Sequence, residues 1–94
     1  MKLNFEWDEE KAKANLKKHI VSFDEATTVF LDPFSITIRD PDHSVEEQRY
    51  IDIGSSDKGH ILVVVYTERG SHMRIISCRK ATSSERKLYE EGSN

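Results

Sequence analysis

The sequence predicts an α+β domain in which an antiparallel β-meander of about four to five strands packs with helices on one face. Three observations predict it. Residues 3–7, 34–39 and 49–54 alternate apolar and polar side chains with the two-residue period of a half-buried strand, and residues 73–79 are expected to form a further strand. Turn-forming residues separate consecutive strands by short loops, which pairs neighbours antiparallel. Helix-start signals stand at Asp8, at Ser22 with Glu25 and at Thr82 with Glu85.

The first strand covers residues 3–7, and Asp8 offers an N-cap to a helix over Glu9–His19. Glu9 and Glu10 fall in its first turn and Lys17, Lys18 and His19 in its last, both favourable to the helix dipole. Its apolar stripe is thin, Ala12 and Leu16 one turn apart, so this helix is expected to pack on the surface of the core. Ser22 and Glu25 make a capping box, with Val21 placed to staple against Ala26. The helix over 23–31 turns Phe23, Ala26, Val29 and Phe30 inward, and Asp32-Pro33 ends it. Turns are expected at Asp40-Pro41-Asp42-His43, at Ser56-Asp57-Lys58-Gly59 and at Arg69-Gly70-Ser71. Between the last two, the β-branched run 61–66 suits a central strand. The final helix starts at the box of Thr82 and Glu85 and ends near Glu91, leaving Gly92-Ser93-Asn94 to fray.

A length of 94 residues predicts one domain over 1–94. The longest apolar run, 61–66, is far short of the ~20 residues of a spanning helix. The first residues, Met1-Lys2-Leu3-Asn4-Phe5-Glu6-Trp7-Asp8, move straight into charge and lack the apolar stretch of a secretory signal. Cys78 is the single cysteine, which excludes an internal disulfide and suits a reducing compartment. A cytoplasmic location is expected. The net charge of −3 argues against holding nucleic acid by bulk electrostatics. Its distribution is uneven, however. Residues 40–57 carry Asp40, Asp42, Glu46, Glu47, Asp52 and Asp57 against Arg49 alone. Residues 69–80 carry Arg69, Arg74, Arg79, Lys80 and His72 with no acid, a local cationic surface for a small anionic target. Taken singly, each of these charges reads as ordinary solvated surface.

His19, His43, His60 and His72 share no helical spacing and have no companion cysteine, so no zinc site is expected. The acidic segment is the one feature that points to a metal-dependent hydrolase. No phosphate-cradling glycine loop or nucleophile elbow is present. Cys78 lies in a predicted strand and reads as a packed, unreactive thiol. His19, at a helix end, reads as a proton-transfer group or as a plain C-terminal helix cation. Trp7 is placed to stack on a base or to cover the core. Glu46 and Glu47 precede Arg49, where a general base and a surface salt bridge look alike. Arg69, Arg74 and Arg79 lie on or beside one predicted hairpin, and strand register decides which of them share a face.

Phe5-Glu6-Trp7-Asp8, Asn15, Lys18-His19, Ser22-Phe23-Asp24-Glu25-Ala26 and Val29-Phe30 together resemble the opening signature of the BrnT family. The resemblance continues through His43-Ser44, Glu47, Arg49 and Ile53-Gly54 to the run from Leu62 to Arg69. It ends on Arg74-Ile75-Ile76-Ser77, Arg79, Ala81, Glu85-Arg86 and Tyr89, so nearly the whole chain is covered. Cys78 stands where the family more often has a small residue such as Ala. BrnT proteins are similar in fold to RelE-type toxins, and the resemblance implies a ribonuclease toxin that halts translation, without a cofactor. It also implies a BrnA-like ribbon-helix-helix antitoxin, through which alone the pair meets operator DNA. Carried over by position, the expected catalytic residues are His19, Arg49, Thr67, Arg69, Arg79 and Glu47. Trp7, Arg74 and Lys80 are expected to bind RNA. RNA carries its own nucleophile in the 2′-hydroxyl, so the protein need add only a base, an acid and cations, and metal-independent cleavage is expected. The alternative is a non-catalytic regulatory or RNA-binding module on the same fold.

Overall fold

Alternating segments and turn residues generate a five-stranded sheet in the computed structural model, which describes residues 3–40 and 48–92. The elements are β1 (Asn4–Glu6), α1 (Glu9–His19), α2 (Phe23–Thr28) with a 3-10 turn Val29–Leu31, and β2 (Ile36–Asp40). Then come β3 (Arg49–Ser55), β4 (Ile61–Arg69), β5 (His72–Lys80) and α3 (Ser83–Gly92). The spatial order is β1-β5-β4-β3-β2, with the β-branched β4 at the centre. Strands β2 to β5 form the expected antiparallel meander. β1 departs from it by pairing parallel with β5, because two helices carry the chain away before the meander begins. The predicted turn residues Pro41, Asp42 and His43, and the candidate Glu47, lie outside the described residues.

One face of the sheet carries α1 and α2. Phe23, Ala26 and Val29 from the α2 region pack there against Leu62, Val64 and Tyr66 of β4 and Ile75 and Cys78 of β5. The stripe expected of α1 is corrected in one respect: Leu16 is 49% exposed, and the buried residue is Asn15. The cause lies in the length of β1. Its three residues pair β5 only as far as Arg74, so the outer edge of β5 beyond that point lacks a strand. Asn15 replaces one. Its Oδ1 accepts from the Cys78 amide at 3.1 Å, and its Nδ2 donates to the Cys78 carbonyl at 2.8 Å and the Val21 carbonyl at 3.1 Å.

The expectation of helices on one face holds for α1 and α2, whereas α3 crosses the other face. Ile36, Ile53, Val63 and Arg79 stand in one cross-strand row there, and Ile53 and Val63 are buried outside the main core cluster. Gly92 lies so close to Ile36 that an added Cβ would come within 2.6 Å of its Cδ1. The short link from Lys80 and the fork of Arg79 on Glu85 draw the helix to this side. At its far end Tyr89 donates to Asp32 Oδ2 at 2.7 Å.

Candidate functional site

Strand register decides which cations meet. Arg74 and Arg79 are five residues apart, which in a regular strand puts them on opposite faces. A bulge intervenes. Val65 pairs with Ser77 and Tyr66 with Ile75, so Ile76 has no partner and the alternation slips by one. Arg74 and Arg79 therefore share the face opposite α1 and α2, which they also share with Arg69. The β4–β5 turn that sets this register is the two-residue Gly70-Ser71, with Gly70 at φ +57.

On that face one row runs across all five strands: Glu6, Arg74, Thr67, Arg49 and Asp40. Glu6, Arg74, Arg49 and Asp40 in it are all partly exposed. Arg74 is held by Glu6, Nη1 to Oε2 at 2.8 Å, with both side chains still partly exposed. Thr67 is buried and donates its hydroxyl to the Gln48 carbonyl at 2.7 Å, fixing the backbone just before Arg49. Arg49 is half-buried, and Arg69 lies two residues beyond Thr67 at the exposed end of β4. The adjoining row of Ile38, Ile51 and Val65 remains partly open, with Ile38 41% exposed. The structure thus joins Arg49, Thr67, Arg69 and Arg74 into a cationic strip edged by apolar surface.

The other expected residues lie apart from it. Arg79 is on the same face but roughly 13 Å along the strand, at 3.3 Å per residue. Its guanidinium is engaged by both oxygens of Glu85, at 2.7 and 2.8 Å. That fork and the Thr82 amide hold the Glu85 carboxyl down at about 2. His19 ends α1, one turn beyond Asn15, so the sheet stands between it and the arginine strip. Lys80 is exposed at the end of β5. Trp7 donates Nε1–H to Glu9 at 3.1 Å and meets Phe23 edge-on at 5.8 Å, so it packs on the core while bordering a groove between α1 and α2. Cys78 is buried, and burial pushes its thiol up to about 11, far from a reactive thiolate.

Sequence reasoning missed Glu25, Ser56 and His60. The box at Ser22 is only half made. Ser22 Oγ accepts from the Glu25 amide at 3.0 Å, but the Glu25 carboxylate turns away into the fold. It takes the Ser56 hydroxyl at 2.6 Å and His60 Nδ1 at 2.8 Å. Burial by itself would raise this carboxyl; the hydrogen bonds from Ser56 and His60, with the charges of His60 and Lys58, hold it below the usual range. The available signal was Glu25 adjoining Ala26 on the inward side of α2, where a solvated acid does not belong. Among the described residues no three His, Cys, Asp and Glu side chains converge as a metal-binding group, and no helix is long and apolar enough to cross a membrane.

Fold and surface together define a small α+β protein with an arginine strip suited to phosphate oxygens. The family model described as the ribonuclease toxin BrnT of type II toxin–antitoxin systems matches residues 7–85, and the chain belongs to that family. Membership implies ribonuclease activity, an RNA substrate and an antitoxin partner. A crystal structure of the Brucella abortus ribonuclease toxin BrnT is similar over 87% of this chain and 100% of its own, at 26% identity and a TM-score of 0.65. A search of curated proteins gives no match.

Proposed function

We propose that this protein is a metal-independent endoribonuclease acting in the cytoplasm, that it arrests translation, and that a BrnA-like ribbon-helix-helix antitoxin neutralises it. The observation that carries the reading is the row of Arg49, Thr67 and Arg74 on the half-open face, with Arg69 beside it. In the proposed reaction the RNA 2′-oxygen attacks the adjacent phosphorus while a base takes its proton. The bond from phosphorus to the 5′-oxygen breaks, and that oxygen receives a proton from an acid. The products are a 2′,3′-cyclic phosphate and a 5′-hydroxyl. Charge accumulates on the phosphoryl oxygens on the way, where planar guanidinium forks stabilise it without a metal.

Arg49, Arg69 and Arg74 take that role, Thr67 positions Arg49 through Gln48, and Glu47, two residues before Arg49 in the sequence, is the general base. The resemblance offers His19 and Arg79 as well. The sheet between His19 and the strip, and the distance of Arg79 from it together with the two-point fork of Glu85, favour roles for these two outside the phosphoryl contact. Trp7 and Lys80 serve as outlying RNA contacts. The antitoxin is expected to cover the arginine strip, since a chain of net charge −3 offers few other cationic surfaces to block. A complex that leaves Arg49 and Arg74 exposed to solvent would require another route of inhibition.

The deciding experiment is RNA cleavage in excess chelator by the wild type and by Arg49→Lys. Wild-type cleavage should persist and the variant should lose about 100-fold, since a point charge does not reproduce the fork. Activity lost in chelator and restored by magnesium would refute metal independence. Absence of cleavage by folded wild type, with RNA still bound, would favour a binding module.

A further inference from the structure

At the other end of the sheet, a cleft of about 270 Å³ is lined by Gly59, His60, Ile61, Lys80, Ala81 and Arg86. Its location follows from register. The pair Arg49–Thr67 and the pair Ser55–Ile61 stand six residues apart on β3 and β4, roughly 20 Å at 3.3 Å per residue. A single phosphate held by the arginine strip does not span that distance.

The His60 wall of this cleft is held in place from behind. The Glu25 side chain is 5% exposed, and its carboxylate accepts only, so the proton of the His60–Glu25 bond sits on Nδ1. The ring is thereby oriented, and Nε2 is the nitrogen left for the outside, on a side chain that is 42% exposed. Ser56 Oγ ties the same turn together by accepting from the amides of Lys58 at 3.2 Å and His60 at 3.3 Å while donating to Glu25. The Asp57 amide donates to Thr28 Oγ1 at 2.9 Å, fastening the turn to α2. Two elements, α2 and the turn between β3 and β4, thus converge to present one imidazole edge.

Lys80 and Arg86 contribute the charge. Arg74 and Arg79 each hold a carboxylate, but neither Lys80 nor Arg86 forms a salt bridge with any acid among the described residues. Among the described residues the lining of this cleft holds no carboxylate, and Glu25, behind the imidazole, is already bonded to Ser56 and His60. Two cations that form no salt bridge among the described residues line one cleft with a fixed ring nitrogen, and together they make a site for an anion of phosphate size.

We infer that this cleft is a second phosphate subsite, in which His60, Lys80 and Arg86 hold a backbone phosphate of the RNA away from the scissile one. The inference rests on the ribonuclease reading for the identity of the strand and not for the existence of the anion site. It assigns Glu25 a role as a positioning residue, acting through His60.

The test is an NMR titration of the full chain with a single-stranded 2′-O-methyl RNA, which has no free 2′-hydroxyl and is not cut. A parallel arm uses inorganic phosphate, and a third measures cleavage of unmodified RNA. The His60 ring signals should move with the oligonucleotide. The double variant Lys80→Ala, Arg86→Ala should bind it about tenfold more weakly at low salt. The slope of log affinity against log salt should shrink by about 0.7, the increment of one phosphate contact on a single strand. A melting temperature equal to wild type will show that the variant is folded. An unchanged salt slope, or ring signals that stay in place, overturns the subsite. So does a response to inorganic phosphate but not to RNA. If the oligonucleotide moves His60 while unmodified RNA stays intact, the subsite stands and the ribonuclease reading falls.

Discussion

On the face covered by α1 and α2, each buried polar side chain is answered from within the fold. Asn15 completes the edge of β5, Glu25 holds Ser56 and His60, and Asp52 accepts from Tyr66 at 3.0 Å. Among the described residues no buried side-chain polar atom lacks a partner. The opposite face is finished differently. α3 seals the row through Ile36, Ile53 and Val63 and stops, leaving the row of Arg49, Thr67 and Arg74 beside the partly exposed Ile38. Polar groups answered in this way hold the fold together, with the outer edge of His60 alone among them turned to a cleft, whereas the partly exposed guanidinium groups of Arg49 and Arg74 stand where a ligand can meet them. Substitutions should therefore separate: stability from the first face, cleavage from the second.

The largest effect is expected from Asn15→Ala. It strands the amide and carbonyl of Cys78 without partners, and two unsatisfied buried backbone groups cost about 3 kcal/mol together. Urea unfolding should show that loss, with Tm falling by roughly 10 °C or more for a domain of this size. Cleavage per folded molecule should stay near wild type. A drop in cleavage larger than the drop in folded fraction would join the two faces and break the contrast.

Arg49→Ala is the converse. A loss of about 100-fold in cleavage corresponds to about 2.7 kcal/mol of transition-state stabilisation. The melting temperature should move by only a few degrees, because a half-buried arginine at a strand end contributes little. If cleavage and melting fall together, Arg49 is a structural residue and the strip is misassigned.

Glu85→Gln probes the seam where α3 meets the sheet. The carboxylate completes the capping box with Thr82 and forks Arg79, yet Arg79 is 40% exposed, so screening reduces the pair to about 1 kcal/mol. The Glu85 carboxyl is lowered from 4.5 to about 2. Its stabilisation is therefore complete above pH 4.5 and is lost as pH falls toward 2. The wild type should show that loss in acid melts, and the Gln variant should lack the Glu85 share of it. Equal acid sensitivity in both would place the stabilisation elsewhere.

Elements with local signals were legible in the sequence. Asp8 marks the start of α1, and its side chain accepts from the amides of Glu10 and Lys11 as an N-cap should. Alternation marks β3 and turn residues bound β4. What sequence did not carry are features whose cause is distant. The bulge at Ile76 shows in the sequence only as the adjacent apolar pair Ile75-Ile76, a local break in alternation that does not announce its consequence, that Arg74 and Arg79 share a face. The burial of Asn15 follows from the shortness of β1 and not from the α1 pattern. Glu25 imitates a local capping box while its carboxylate serves a turn 31 residues away at Ser56. Of the expected site, Arg49, Thr67, Arg69 and Arg74 are brought together because consecutive strands pair in order. His19 is not, because it follows a helix to the other side of the sheet.

The smallest effect tests whether the buried acids of the first face are equivalent. Glu25 and Asp52 are both nearly inaccessible, but their carboxyls shift oppositely. Burial raises Asp52 above 3.8, and the hydrogen bonds from Thr37 and Tyr66 do not offset it. A raised carboxyl means that the folded state favours the proton, so ionisation of Asp52 takes stability away as pH rises through its folded value. Asp52→Asn keeps the shape and the oxygen that accepts from Tyr66 while removing the charge. It should leave stability at pH 7 unchanged or higher by up to about 1 kcal/mol, as replacing a poorly compensated buried charge does. The advantage should vanish below pH 3.8, where the wild-type carboxyl is protonated in both folded and unfolded chains. Glu25→Gln should behave in the opposite sense, losing stability at pH 7 and converging with wild type as pH falls below the lowered Glu25 value. Paired urea titrations of the two variants across that range decide it. If Asp52→Asn is clearly destabilised at pH 7, the charge at Asp52 contributes to the core as Glu25 does, and the two acids are one device.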